Sequence, residues 1–374
     1  MKRLSWFLLV IFLSLAVACG GDSSPTVEEI TDEPVDASAA TPATTPSFAG
    51  QTLIVMTHDS FSISEEILTS FEDTHGVTVS VLPAGDTGAA LNQAILAKDN
   101  PLADVFFGVD NTFLGRALSA EIFMPYESPQ LTHIPDSLQL DSSNSLLPVD
   151  YGDVCLNYDK AWFEENNVAV PTSLTDLTQP EYEGLLVVEN PATSSPGLAF
   201  LLATIATFGT DDEYDYLDFW SDLRDNRVLV TAGWSDAYYG YFSAASAGER
   251  PLVVSYASSP AAEYLYADPP VESAPTSSIV ADLSCFRQVE FVGILAGTER
   301  QQLAQLFVDY MLSKTFQEDI PLNMFVFPAH QEAELPQEFI DWAMIPDNPA
   351  TLDPTEIDAN REAWIEAWSE IVLR

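Results

Sequence analysis

Which side chains of this 374-residue chain could act as nucleophiles, metal ligands or proton carriers is the first question its sequence poses. The four histidines, His58, His75, His133 and His330, stand at no ligand-like spacing, so no zinc centre is expected. No G-x-S-x-G elbow, Walker loop, G-x-G-x-x-G turn, H-E-x-x-H helix or paired C-x-x-C occurs. Carboxylates are so abundant, 57 in all, that none is singled out as a general acid or base. The chemistry on offer is recognition, and neither catalysis nor a cofactor is expected.

Recognition residues need elements to hold them. Residues 52–57 (TLIVMT) form a β-rich apolar run, and Ile63, Ile67, Leu68 and Phe71 then recur at helical spacing until His75-Gly76 ends the pattern. Strands follow at 77–82 and 103–108, with a helix at 89–97 between them. This alternation predicts an α/β fold with a largely parallel sheet. Ligands of such sheets gather at the carboxyl ends of the strands. Three loops occupy those ends, and they carry His58 and Asp59, Asp86, and Asp110.

A second α/β unit is expected from strands at 185–188, 228–230 and 252–256 and helices near 197–207 and 214–223. Proline-rich residues 268–275 precede a strand at 286–295 and an amphipathic helix carrying Leu303, Leu306, Phe307, Tyr310 and Met311. A final helix starts at Pro354, capped by Asp353 or Thr355, with Ile357, Trp364, Trp368 and Ile371 on one stripe that reads as core. In TSSPGLAFLL, Ser195 reads as the N-cap and Pro196 as the first helical residue of a helix whose free N–H groups could hold an anion.

Thirteen basic against 57 acidic side chains leave a net charge of −44, which repels nucleic acid and excludes a polybasic membrane patch. With 47% apolar residues and 11% aromatics the chain is nevertheless a folded one. Lys2 and Arg3, an apolar run over 4–17 and Ala16-Val17-Ala18-Cys19 form a secretory signal. Ending in cysteine, it resembles a lipobox, so residues 1–19 are expected to be a lipoprotein signal peptide and Cys19 the lipidated residue. Residues 20–48, rich in Ser, Thr, Pro and acids, read as a flexible tether. Cys155 and Cys285 remain as a possible disulfide that spacing alone does not establish.

The stretches THDSF (57–61), ADVFFGVDN (103–111), DYG and NYDK (150–160), NPATSSPGL (190–198), AGWSDAY (232–238), SYASSP (255–260) and residues 325–328 together resemble, in order, the substrate-binding protein of bacterial thiamine ABC transporters. The resemblance implies a two-lobed type II periplasmic-binding-protein fold with an interlobe ligand cleft. Lobe 1 would take 49–151, lobe 2 152–285, and 286–374 would return to lobe 1 with the C-terminal helices. It further implies an exported receptor, lipid-anchored at the outer face of the cytoplasmic membrane or in the periplasm, that passes thiamine or its phosphates to ABC permease subunits. A monomer is expected.

By that resemblance Asp86 is the charge partner of the ligand's heterocycles, its alternative role being a helix cap. Ser194 and Ser195 would meet a phosphate or the hydroxyethyl end, and Trp234 and Tyr256 would pack on the rings. Asp59 and Asp110 line the cleft or cap turns. The chain departs from the family pattern at His58, where a tyrosine is usual, at Phe325, where a tryptophan is usual, and at Ala262, with Tyr264 close by. Protonated His58 beside a cationic ligand would be repulsive, which implies pH-dependent binding. The crossing strands of such a hinge lie side by side, which would bring Cys155 to Cys285. Rival readings are a ferric-ion receptor using Tyr238-Tyr239, a polyamine receptor, a structural surface protein, and a secreted carboxylate-dependent glycoside hydrolase.

Overall fold

A computed structural model describes residues 48–211 and 213–374; the signal segment, Cys19 and nearly all of the tether lie outside the described residues. The first apolar run forms β1 (Thr52–Thr57), which pairs in parallel with β2 (Thr78–Pro83) and β3 (Val105–Asp110). Helices Glu65–His75 and Thr87–Leu96 make the crossovers, and Gly76 ends the first in the left-handed conformation at φ 68°. After β4 (Phe123–Met124), the chain enters the 13-residue β5 (Leu147–Asp159).

The second parallel group is β6 (Leu186–Glu189), β7 (Leu229–Thr231) and β8 (Leu252–Tyr256). Then come β9 (Thr276–Ile279), β10 (Phe286–Leu295) and β11 (Phe327–Pro328). The sheet order is β2-β1-β3-β10-β5-β8-β6-β7, with β4 on β10 and both β9 and β11 on β5. Two parallel groups are thus joined through antiparallel β10 and β5. β5 serves both, because Leu147 to Val154 pair with β10 while Val154 to Tyr158 pair with β8.

The hydrophobic core divides accordingly. Val55, Phe106, Phe291 and Phe307 belong to one large cluster, and Leu156, Phe200, Trp220 and Val254 to another. The helix Ser195–Phe208 is apolar all round and buries its first eleven residues, as a helix without a polar face must. Its N-cap is Ser194, whose hydroxyl accepts from Gly197 N; Ser195 is the first helical residue and Pro196 the second, one position later than expected. Both places leave the missing proline N–H unneeded.

The C-terminal helix Pro354–Val372 is capped by Asp353, which accepts from Thr355 N, and opens on Pro354 as its sequence predicts. Its stripe does not return to the first cluster: Ile357, Trp364 and Trp368 bury in the second, Trp368 packing edge-on against Trp220 at 5.5 Å. The segment 286–374 therefore divides between the two cores, since helix Gln301–Met311 packs in the first. Among the described residues no helix is long and apolar enough to cross a membrane.

Cys155 and Cys285 form a disulfide with a Cα–Cα distance of 4.3 Å. The β5–β10 register, which sets Phe286 opposite Val154, brings them together, and both are fully buried. Next to it Asp153 receives Arg287 through two bonds of 2.9 and 2.8 Å.

Candidate functional site

Strand ends from both parallel groups open onto a cleft of about 620 Å³. Of the nine candidate ligand residues, His58, Asp59, Asp86, Ser195, Trp234, Tyr256 and Phe325 line it, as do Tyr238, Tyr239 and Ala262. Asp110 and Ser194 do not; both are buried behind the surface, Ser194 as a helix cap.

One wall is aromatic. Trp234, on a helical turn just after β7, stacks on Tyr238 at 4.9 Å and 24°. Its indole N–H donates to Ser255 Oγ at 2.9 Å, and that oxygen is 2.9 Å from Ser259 Oγ. The ring is thereby fixed with one face committed to Tyr238. Tyr256 ends β8 and donates its hydroxyl to Gln288 Oε1 at 3.0 Å. Gly152 makes room for this ring, because a Cβ there would stand 2.8 Å from Tyr256 Cδ1. Phe325 is held at φ 56°, a left-handed conformation rare for a bulky residue, and its carbonyl accepts from Ser258 Oγ at 2.5 Å.

Tyr264, the nearest available replacement for an aromatic at 262, turns away and packs on Trp342 at 5.3 Å. Tyr266 and Glu263 face the cleft instead. They follow from the pitch of the helix Ser259–Leu265, which turns successive side chains by about 100°.

Carboxylates stand on both sides of the cleft, Asp236 in the same turn as Trp234 and Glu263 beside Tyr238. Asp59, Asp86, Asp236, Glu263 and Glu290 line the cleft, and no lysine or arginine does so among the described residues. Asp86 occupies the N-cap position of helix Thr87–Leu96 yet makes no side-chain cap bond. Water reaches its carboxyl, but the walls of the cleft surround it; this partial burial, with Asp110 nearby, pushes it up to about 6. Asp59 has a structural task as well, for its Oδ1 accepts from Gly85 N at 2.9 Å across the two loops.

Behind the surface Asp110 accepts from Thr112 N at 2.7 Å, from Thr112 Oγ1 at 2.5 Å and from Gln288 Nε2 at 2.7 Å. Ser195 Oγ also donates to Asp110 and accepts from Gln288 Nε2 at 2.6 Å. Burial pushes Asp110 upward, against these bonds, which favour the charged form. The start of helix Ser195–Phe208 has few donors left for an anion. Pro196 has no N–H, Gly197 N–H goes to Ser194 Oγ and Leu198 N–H to Ser194 O.

His58 Nε2 lies 3.3 Å from Glu290 Oε1, and Ser60 N–H donates to His58 Nδ1 at 3.1 Å. Burial lowers the imidazole's proton affinity, but Glu290, with Asp86 and Asp110 beyond it, outweighs this and raises it. Gly108, at φ 105°, lies beneath the ring; a Cβ there would be 2.3 Å from His58 Cδ2. Glu290 also contacts Asp150, its register partner on β5.

Gln288, Glu290 and Glu263 are cleft residues that strand-end reasoning passed over. A signal existed for the first two: in the apolar run 286–295 they are polar residues at i and i+2, so they share one face of the strand.

Against known proteins, residues 100–347 match the family model of the bacterial extracellular solute-binding proteins. The chain is similar to the "Thiamine-binding periplasmic protein" of Escherichia coli K12, at 30% identity over 88% of this chain and 96% of that protein. Its fold is similar to that of a solved "Periplasmic thiamin binding protein", with a TM-score of 0.75 and 28% identity over 86% of this chain and 96% of that one. A ferric binding protein from Campylobacter jejuni shares the fold alone, at a TM-score of 0.70 and 19% identity over 85% of this chain and 99% of that one. The architecture is the mixed α/β periplasmic-binding-protein fold of type II. With its sheet, its cleft and most of its length accounted for, the chain belongs to the bacterial extracellular solute-binding protein family, whose members hold a solute and do not transform it.

Proposed function

We propose that this receptor captures thiamine outside the cell and delivers it to an ABC permease. The observation that carries the reading is the composition of the cleft: an aromatic wall built on Trp234 and Tyr256 faces the carboxylates of Asp86 and Glu290, with no lysine or arginine among the described lining residues. Thiamine is a pair of flat rings, one with a permanent positive charge. Aromatic faces attract such a charge, and a carboxylate in a partly dry site attracts it more strongly than in water. Relatives named for thiamine binding support the same ligand.

Closure would move lobe 1 (49–151) toward lobe 2 (152–285) about β5 and β10, with Asp86 and His58 on one side and Trp234 and Tyr256 on the other. Ser195, whose hydroxyl is engaged by Asp110, would touch the ligand's hydroxyethyl end only by exchanging that bond. Lipidation at Cys19 and the tether 20–48 would hold the receptor within reach of its permease.

The ferric reading loses ground at Tyr238: burial and Glu263 drive its phenol well above its ordinary range, whereas an iron ligand must lose that proton. Calorimetric titration of the full-length protein, stripped of carried ligand by partial unfolding, with thiamine and its mono- and diphosphate tests the proposal. Stoichiometric binding of thiamine, weakened in Asp86→Ala and Trp234→Ala, is expected; no heat with any of the three overturns it.

A further inference from the structure

Glu290 is the meeting point of three strands. Across β10 it stands opposite Asp110 of β3 on one side and Asp150 of β5 on the other. Asp150 is fully buried, and neither of its oxygens meets an N–H or O–H donor. An ionised carboxylate in that position would have no partner, whereas a protonated one can donate to the adjoining Glu290 carboxylate. Burial, and then Glu290 itself, press Asp150 in that direction, well above the ordinary carboxyl range.

The other side of Glu290 meets His58 Nε2 at 3.3 Å. The Ser60 amide donates to Nδ1, so the neutral ring carries its hydrogen on Nε2, which lies beside Glu290 without an aligned hydrogen bond to it. Burial presses Glu290 upward, but His58 and the Asp150 hydroxyl outweigh it, and its carboxyl titrates below the usual value. Glu290 is thus an anion held between the Asp150 carboxyl and the edge of the His58 ring, with its side chain 16% exposed and facing the cleft.

We propose that Glu290, clamped between Asp150 and His58, receives the fixed positive charge of the ligand, and that this cation and the second proton of His58 compete for it. The proposal deepens the thiamine reading and rests on it. With His58 neutral the Asp150–Glu290–His58 unit carries one negative charge; with His58 protonated it carries none. An organic cation entering the protonated state must expel one proton, from Nδ1 to solvent, where Ser60 N–H then takes its place. The charged groups facing His58 are Glu290 of β10, Asp86 at the start of helix Thr87–Leu96, and Asp110 of β3; all three are acidic and favour either cation. The contest is therefore between two positive charges for one set of anions. Asp150 acts only through Glu290 and is a positioning residue.

Titration of the full-length protein with thiamine between pH 6 and 8.5, in buffers of different ionisation heat, reads the exchange directly. Expected are release of up to one proton per ligand and, below the His58 pKa, a gain in affinity approaching tenfold per pH unit that levels off above it. Above pH 7, where Asp86 is already ionised, His58→Gln, which carries an amide that can donate to Glu290, removes both effects. Glu290→Gln weakens binding at every pH. Asp150→Asn, still a donor, retains the profile that Asp150→Leu loses. Far-ultraviolet spectra and thermal melts accompany each variant, and the proton count in the unaltered protein is independent of whether any variant folds. Binding without proton release above pH 7, or a release there that survives in His58→Gln, overturns the exchange and leaves thiamine standing. No binding at any pH overturns the thiamine reading and the exchange with it.

Discussion

The hydroxyl of Ser195 is bonded to the carboxylate of Asp110, so the place at the helix start that could take a foreign anion already faces one of the protein's own. Gln288 closes the same triangle, 2.6 Å from Ser195 Oγ and 2.7 Å from Asp110 Oδ2. The helix terminus positions the cleft's polar floor without offering it a free row of donors.

Phosphorylated ligands should therefore bind less well. A phosphate carried into a cleft with Asp86, Glu263 and Glu290 meets like charges with no lysine or arginine to offset them among the described lining residues. Competition titrations should rank thiamine above its monophosphate by about tenfold, roughly 1.4 kcal/mol, with the diphosphate weaker again. Equal affinities would show that closure brings in a donor set absent from this arrangement.

Trp234 supplies a fixed aromatic face and a bond to Ser255. Its replacement by alanine should weaken thiamine binding by about 1–2 kcal/mol, the scale of a partly desolvated cation–π contact. Phenylalanine at the same place should recover most of that, since the ring face matters more than the N–H. Isothermal titration of the two variants decides between them, and comparable losses in both would locate the effect in the Ser255 bond.

The Asp86 carboxyl, raised to about 6 from 3.8, gives the empty protein a defined pH response. The unfolded chain ionises this group first, so its contribution to stability is complete below 3.8 and is lost as the pH rises through about 6. Asp86→Asn should remove that loss and melt at a higher temperature than the unaltered protein at pH 7.5. Ligand affinity should move the other way, increasing from pH 5 to 7 as Asp86 ionises, and Asp86→Asn should abolish that part of the profile. A wild-type melting curve that does not change between pH 4 and 7 relative to the variant would contradict the assignment.

Gly108→Ala should disturb the site from beneath. At φ 105° an alanine is strained, and its Cβ would collide with His58. A loss of more than about 1 kcal/mol in stability is expected from the backbone alone. The displaced imidazole should also part from Glu290, visible as a His58 proton resonance whose titration returns toward that of an unpaired histidine.

Reduction of Cys155–Cys285, which closes a loop with a sequence separation of 130, should lower stability by about 2–5 kcal/mol. Chemical denaturation with and without reductant measures it, and peptide mapping without reductant should recover the two cysteine peptides joined. The paired strands β5 and β10 keep their hydrogen bonds on reduction, so thiamine binding should persist below the new melting temperature.

Much of this molecule is local and therefore legible in the chain itself. Apolar runs such as 252–256 and 286–295 become strands because nothing else buries so many β-branched and aromatic side chains in so few residues. Asp353 and Pro354 mark a helix start wherever they occur before a periodic stripe, because the cap bond is made within three residues. Asp86 is legible as a cleft residue because it follows a strand, and the carboxyl ends of α/β strands all open to one side; Trp234 and Tyr256 are named by the family resemblance as well as by their places at strand ends.

What the chain could not disclose depends on partners remote in sequence. Nothing near Asp150 or Glu290 tells that they face one another; the β5–β10 register does, and with it the proton that Asp150 must keep. The final tryptophans are apolar in any reading, yet only the tertiary packing of Trp368 on Trp220 decides which core receives them. Tyr264 and Tyr266 differ by two residues, and the pitch of one short helix sends one to Trp342 and the other to the cleft. Secondary structure follows from backbone and side-chain propensities within a few residues, whereas the charge state of a site follows from which groups the tertiary fold deprives of water together.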